Sequence, residues 1–248
     1  MVNLMNKKIL AIVEGEKKEP QLLNRLFDTY MYRKREIVAY GANIYDLYNK
    51  LLDFYGEDWE DLDFLLFLRE QEKDDGKKII FDEVYTDIFL VFDFDPQDNR
   101  FSTKAIGRMM NYFNDSTSCG RLYINYPMVE FCIHITSFDD MSYLSSKVRK
   151  DELSNYKKIA NEESCCPDIT QYNKMTFSQI IRLNLWKIVS VLDIDKSNLS
   201  SDLYDILREV LKVQVVLWQQ ESSLYILNTC LLCIYEYNPK MIEWLNRK

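Results

Sequence analysis

The sequence contains a single histidine, six glycines and five prolines in 248 residues. One histidine cannot supply both a general base and metal ligands, so nothing supports serine, cysteine or zinc hydrolysis. The glycines form neither a GxGxxG motif nor a GK[ST] loop, which argues against nucleotide binders that hold phosphate on such loops. Scarce glycine and proline, without low-complexity sequence, indicate a folded chain.

Long apolar runs are also missing. No stretch approaches the roughly 20 apolar residues of a membrane span. The first apolar run, at residues 9–13, is short and is followed at once by an acid, unlike a signal peptide. Six cysteines without a regular framework favour a reducing compartment. We therefore expect a cytoplasmic protein that does not contact a membrane.

The formal net charge of −8 opposes binding to the phosphates of nucleic acids. Cations bound to clustered acids would cancel part of it, and basic residues gather locally. The basic cluster comprises Lys147, Arg149, Lys150, Lys157 and Lys158. The charge balance therefore neither establishes nor excludes a nucleic-acid partner.

The stretch ILAIV at residues 9–13 has the composition of a buried parallel strand. It ends at Glu14, and an amphipathic helix is predicted over residues 17–32. A strand that turns directly into a helix carries its acid to the carboxyl edge of a sheet, where ligands of open α/β folds bind. Glu14, Glu16 and Glu19 would crowd there, which is costly without protons or a cation. We interpret this as half of a divalent-metal site.

The stretch DIFLVFDF at residues 87–94 is apolar on both faces, as in a central strand. Side chains alternate along a strand, so Asp93 and Asp95 are predicted to point the same way. Pro96 then ends the strand. The alternative is that Asp95 caps the following turn while Asp93 is half-exposed.

The remaining pattern predicts an α/β domain over residues 1–138, with a parallel sheet flanked by helices, and an all-helical C-terminal module over residues 139–248. An acidic insertion interrupts the domain at about residues 56–85, with a helix near 62–68 and a solvated loop over 70–78. Further strands are predicted at 35–40 and 121–125, and further helices at 44–54, 102–113, 177–192, 201–219, 222–237 and 239–245.

Pro127 can open another helix, with Glu130 and His134 on one face. A lone histidine on a mostly apolar helix is more often a core residue than a ligand. The Cys230–Cys233 pair forms a CxxC spacing inside an apolar run, so core packing is favoured over redox or zinc chemistry.

Three features together carry a resemblance to a known family. They are the strand–Glu14-Gly15–helix unit, the strand–Asp93-x-Asp95 unit and the order of the elements between them. This combination resembles the TOPRIM fold of topoisomerases, bacterial primases and OLD-type nucleases. More closely, residues 14–20 (EGEKKEP) resemble the EGEKTEP-like opening of RloB-like proteins, and residues 126–130 (YPMVE) resemble their later Asn-Pro-x-x-Glu segment. The resemblance covers residues 7–137.

The sequence departs from this family at two positions. Lys18 stands where a small hydroxyl residue is usual, and Tyr126 stands where asparagine precedes the proline. Neither departure removes an acid, although the second leaves the position of Glu130 open.

The resemblance implies phosphodiester cleavage of DNA or RNA that depends on Mg²⁺ or Mn²⁺. It implies that Glu14 is a general acid/base or metal ligand, that Asp93 and Asp95 hold the cation, and that Glu19 helps to place a second cation. Lys17 or Lys18 would neutralise charge on the phosphate. Glu130 is a further expected catalytic acid.

The resemblance also implies a role in anti-phage defence, with an ABC-type ATPase as a partner. Whether the protein forms a homo-oligomer is left open by the sequence. A second hypothesis is a non-catalytic TOPRIM-shaped subunit that docks on an ATPase or another effector. A plain flavodoxin-like receiver or nucleotide binder ranks last.

Overall fold

The computed structural model describes residues 8–30, 34–129, 134–196, 199 and 203–237. Its β-strands, numbered along the chain, are β1 (Lys8–Val13), β2 (Lys34–Ala39), β3 (Asp87–Asp93), β4 (Asn114–Asp115), β5 (Gly120–Asn125), β6 (Lys147–Arg149) and β7 (Ser223–Tyr225). Its α-helices are α1 (Lys18–Tyr30), α2 (Ile44–Tyr55), α3 (Phe64–Gln71), α4 (Asp75–Phe81), α5 (Thr103–Tyr112), α6 (Tyr156–Glu163), α7 (Lys174–Leu192), α8 (Leu203–Glu221) and α9 (Cys233–Tyr237).

Five strands form one sheet in the order β2-β1-β3-β5-β4. β1 pairs in parallel with β2 on one side and with β3 on the other, and β5 pairs in parallel with β3. The short β4, which the sequence did not predict, is antiparallel to β5. Because the chain moves from β1 outward to β2 and then crosses back to β3, the strand order reverses between β1 and β3. Ligands of open α/β sheets bind at the carboxyl ends of strands beside such a reversal.

Helices cover the sheet, which confirms the predicted α/β class with its mainly parallel sheet. Residues 9–13 of β1 are at most 1% exposed, as expected of a strand buried on both faces. In β3 the ring of Phe89 packs against Phe27 of α1, while the ring of Phe92 packs against Tyr40 after β2. Side chains on opposite faces of β3 therefore pack against different elements. Burying each such ring contributes about 1.5–3 kcal/mol to the stability of the fold.

The C-terminal region is helical but not all-helical. The helix predicted over residues 222–237 is wrong for its first part, because β7 lies there and pairs antiparallel with β6. Ser222 has φ 50°, which ends α8 and reverses the chain. An isolated bridge from Leu227 to Tyr126 then ties this segment to the end of β5. One hydrophobic core continues across residue 138.

The acidic insertion contains more helix than predicted. α3 corresponds to the helix predicted near residues 62–68, but the loop predicted over 70–78 is wrong in its second half, where α4 begins. The Asp-Asp-Gly sequence acts as a helix start, because the Asp74 carboxylate accepts a hydrogen bond from the Gly76 N–H. Phe81, buried at the end of α4, anchors that helix to the core.

Two predictions fall on residues that the structure does not describe. The helix expected to follow Pro127 would span residues 130–133, which lie outside the described residues, as does Glu130 itself. The helix predicted over 239–245 lies outside them too. Within the described ranges, no helix combines the length and apolar character that a bilayer crossing requires.

Candidate metal and phosphate site

The carboxyl ends of β1 and β3 meet as the sequence predicted. Glu14 directly follows β1, and its N–H donates to Val91 O of β3 at 3.1 Å. Its side chain reaches further along β3, where Oε2 accepts a hydrogen bond from the Asp93 N–H at 3.0 Å. Segments 79 residues apart in the chain therefore share one edge of the sheet.

The turn between β1 and α1 is built around a second acid. Glu19 lies in the first turn of α1, only 6% exposed, and its Oε1 accepts a hydrogen bond from the Gly15 N–H at 3.2 Å. A Cβ at Gly15 would stand 2.9 Å from Glu19 Oε2, so a larger residue there would displace this carboxylate. The partial positive charge at the amino end of a helix favours an acid there. Glu16, which the sequence placed beside these acids, is exposed instead.

The loop after β3 carries the third acid in a strained backbone. β3 ends at Asp93 and Asp95 has φ 35°, so the strand alternation that predicted both carboxylates on one face does not extend to Asp95. Short polar residues tolerate this left-handed region, and such outliers cluster at functional sites. Asn43 and the Gln97 N–H lie close enough to the Asp95 carboxylate to lower its pKa, and the Asp95 carbonyl oxygen accepts a hydrogen bond from the Asp98 N–H at 3.2 Å, which closes the turn.

A neighbouring ion pair holds this loop against α2. Arg100 Nε donates to Asp98 Oδ1 at 3.0 Å, and this guanidinium holds the pKa of Asp98 well below its usual range. Asn43 caps α2 through Asp46 N–H and also donates to Asp98. Partial burial and the nearby Asp98 charge raise the pKa of Asp95.

Electrostatics mark Glu14 as the centre of the acidic edge. Burial raises the pKa of Glu14 to about 7, and the charges of Glu19 and Asp95 add to the rise. The Asp93 N–H and the nearby Lys157 ammonium oppose it. A carboxyl with that pKa exchanges its proton near neutral pH, and bound positive charge would ionise it fully.

The C-terminal region covers one side of this edge. Thr229 Oγ1 donates to Ile124 O at 2.8 Å, and the Cys230 N–H reaches Asn125 Oδ1 at 3.4 Å. Cys230 and Cys233 are each 1% exposed, which confirms the interpretation of CxxC as core packing. Burial raises the pKa of the Cys230 thiol to about 12, and the Glu19 and Asp93 charges add to this rise.

α6 brings a basic residue to the edge. His134 Nδ1 lies 2.9 Å from Tyr156 Oη, and its Nε2 lies 3.0 Å from Glu163 Oε2, so both ends of α6 are tied to this histidine. Lys157, the next residue along α6, is close enough to Glu14 to lower its pKa. The lone histidine therefore anchors a helix rather than lying on the helix predicted after Pro127.

The structure brings together most of the predicted site residues. Lys17 is exposed on the turn between β1 and α1. Glu14, Glu19, Asp93 and Asp95 gather at the edge, where the Asp93 N–H and the charges of Glu19 and Asp95 all act on Glu14. Predictions from the sequence did not include the contributions of Asn43, Asp98, Arg100 and Asn125, and they placed Lys157 in a basic cluster without linking it to Glu14. For Asn43 a signal existed: an asparagine directly before a helix, at the carboxyl end of β2.

The carboxylate oxygens at the edge are the type of ligand that Mg²⁺ prefers. Among the described residues, no group of three or more His, Cys, Asp or Glu side chains is placed to hold a metal ion. Mg²⁺, however, commonly binds through one or two carboxylates, with waters and substrate phosphates completing its shell. Glu14 with Asp95 or with Glu19 is a candidate for such a pair, because the charges of both neighbours act on Glu14.

Comparison with known proteins adds no relative: no family model, no curated protein and no solved structure matches this chain.

Proposed function

We propose that this protein is a nuclease of TOPRIM type that cleaves phosphodiester bonds of DNA or RNA with Mg²⁺ or Mn²⁺. The observation that carries the proposal is the meeting of Glu14 with the acidic end of β3 at the reversal of strand order. Three further features support it: the raised pKa of Glu14, the strained backbone of Asp95 and the presence of Lys157 beside a site that is otherwise acidic.

The residues at the edge would have different roles in cleavage, according to their positions. Glu14, with Asp95 on one side and Glu19 on the other, would hold the cations. When bound, the cations supply an activated water and stabilise the leaving oxygen. In the alternative role, as general acid/base instead of cation ligand, Glu14 would accept or return a proton near neutral pH, because burial raises its pKa. Lys17 and Lys157 offer positive charge to the scissile phosphate and partly offset the acidity of the edge.

The proposed setting, anti-phage defence beside an ABC-type ATPase, rests on the resemblance of residues 14–20 and 126–130 to RloB-like proteins. It predicts that activity rises when the ATPase partner is present.

The test is cleavage of DNA and of tRNA by the purified chain in Mg²⁺, in Mn²⁺ and in EDTA. Asp93→Asn combined with Asp95→Asn preserves shape, and we expect it to lower the rate at least about 100-fold. The matched control is Asp58→Asn combined with Asp61→Asn, which removes two exposed acids of the insertion. Cleavage that persists in the first variant, or falls equally in both, would refute the assigned site.

A second candidate is a subunit that keeps this fold without catalysis and docks on an effector. The exposed apolar side chains of the insertion favour it. Calorimetric titration with Mg²⁺ and Mn²⁺ separates the two: saturable binding that the Asp93/Asp95 variant abolishes supports the nuclease, whereas no heat at millimolar metal supports the docking subunit.

A further inference from the structure

The acidity of this protein is concentrated in one short region. Residues 56–85 contain eleven acidic and four basic side chains, a net charge of −7 out of −8 for the whole chain. The rest of the chain is therefore nearly neutral, with a net charge of −1. The charge that opposes nucleic-acid binding belongs to this insertion.

An apolar patch is exposed where the end of α2 contacts α3. Phe54 is 52% exposed, Tyr55 37% and Leu66 46%. The rings of Phe54 and Tyr55 each pack against Phe67 of α3, at centroid distances of 5.9 and 6.2 Å. Leu66 lies on the same helix, between Asp63 and Glu70, whose charges act on the Tyr55 hydroxyl. We call Phe54, Tyr55 and Leu66 the apolar patch.

Carboxylates border the apolar patch. Asp63 and Glu70 are exposed, and their charges add to the burial that raises the pKa of the Tyr55 hydroxyl. Asp63, Leu66 and Glu70 are spaced three and four residues apart, so they follow one another along a single face of α3. The patch is thus apolar at its centre and negative at its borders, the pattern of a binding surface with a charged rim.

The apolar patch is well separated from the acidic edge. α2 begins next to the edge, where Asn43 caps it, and runs for 12 residues, of which Phe54 and Tyr55 are the last two. At a rise of about 1.5 Å per residue, the patch lies about 17 Å from Asn43 along the helix axis. A partner on the patch would leave the edge open, so this inference stands independently of the proposed nuclease.

We propose that the apolar patch docks a basic amphipathic segment of a partner protein. The sign of the surrounding charge argues against nucleic acids and anionic membranes, since both are negative. A cationic segment with an apolar stripe meets both features, because its side chains contact Phe54, Tyr55 and Leu66 while its lysines or arginines approach Asp63 and Glu70. Recognition of this kind, a helix laid on an apolar surface, is widespread.

The test uses the full chain and three synthetic helical probes of about 14 residues, measured by fluorescence anisotropy. The first has leucines at helical spacing and lysines elsewhere, the second has glutamates in place of the lysines, and the third has serines in place of the leucines. We expect the first probe to bind at least about tenfold more tightly than the other two, with affinity that falls as salt rises.

Variants assign the binding to the patch. Phe54→Ser combined with Leu66→Ser should weaken the leucine–lysine probe about tenfold or more. The apolar control is Val216→Ser on α8, a residue 48% exposed and so matched to Leu66. Circular dichroism and thermal unfolding confirm that each variant is folded.

The charged border is tested with a variant at the patch and a matched control variant on α8. Asp63→Asn combined with Glu70→Gln, in which asparagine retains the cap of α3, should weaken the probe severalfold and flatten its salt dependence. Asp205→Asn combined with Glu209→Gln on α8 removes the same charge elsewhere. Equal losses in patch and control variants, a preference for the glutamate probe, or self-association of the chain through the patch in sedimentation would overturn the proposal.

Discussion

The sheet edge and the acidic insertion use the same chemical groups in contrasting surroundings. At the edge, a few carboxylates are drawn out of solvent beside Glu14, and burial raises its pKa. In the insertion, many carboxylates stand in water or pair with cations, as when Arg108 binds Glu57 and Glu60. The number of acids alone would direct attention to the insertion, whereas burial of the acids directs it to the edge.

The contrast separates two uses of negative charge. A buried carboxylate with further acids beside it is costly unless a proton or a cation joins it, so its presence points to chemistry. Exposed acids cost little and act over distance, which suits the selection of a partner. Each prediction below changes one side of this contrast.

The largest effect is expected on catalysis. Glu14→Gln retains the acceptor for the Asp93 N–H but cannot exchange a proton, so cleavage should fall about 10²–10⁴-fold. Asp61→Asn, an exposed acid of the insertion, should leave the rate unchanged. Single-turnover rates in Mg²⁺ measure both, and similar losses in the two variants would erase the distinction between the regions.

The second effect is on stability as a function of pH. Because the pKa of Glu14 is raised from 4.5 to about 7, its contribution to stability is complete below pH 4.5 and is lost as pH rises through 7. In EDTA above that pH, Glu14→Gln should therefore be more stable than the parent chain, by up to about 3 kcal/mol. Urea unfolding at about pH 5 and about pH 8 measures the difference. A constant difference across that range would show that Glu14 ionises normally.

The contrast also explains which parts of the site were predictable. Parallel pairing of β1 with β3 follows from two strongly apolar stretches, so Glu14 and Asp93 could be placed together from sequence alone. The position of Asp95 could not, because alternation ends with the strand and its backbone then turns left-handed. Asn43 lies 55 residues from Asp98, and their contact depends on where α2 starts.

The C-terminal region was harder for a different reason. The apolar run at residues 224–235 fits a buried strand or a buried helix equally, since periodicity does not separate the two. Pairing of β7 with β6 and the bridge from Leu227 to Tyr126 decide in favour of extended chain for the first part of the run, whereas α9 begins at Cys233. Long-range partners, invisible to a local pattern, also bring Lys157 to Glu14.

A third, smaller effect concerns how the insertion is attached. Arg108 binds Glu57 and Glu60, and its guanidinium lies 5.5 Å from the centre of the buried Trp59 ring. Arg108→Ala should lower the free energy of unfolding by about 1–2 kcal/mol, through lost packing and lost cation–π contact. Arg149→Ala, which breaks exposed ion pairs, should change it by less than about 1 kcal/mol. Urea unfolding compares the two, and equal changes would mean that the insertion is held by its apolar contacts alone.

The smallest effect is expected on the stability of the loop after β3. It tests whether the acids of this loop behave like the buried acids of the edge or like the ion-paired acids of the insertion. Asn43→Ala removes the cap of α2 and the hydrogen bond to Asp98, and should cost at least about 1 kcal/mol. Asn43→Asp keeps the cap but adds a carboxylate beside Asp95 and Asp98, which raises the pKa of the new group. Its stability should therefore match that of the parent at about pH 4 and fall below it at about pH 8, as measured by urea unfolding. Equal stability at both values would mean that the Arg100 guanidinium already neutralises this loop, and Asp95 would then belong with the paired acids of the insertion.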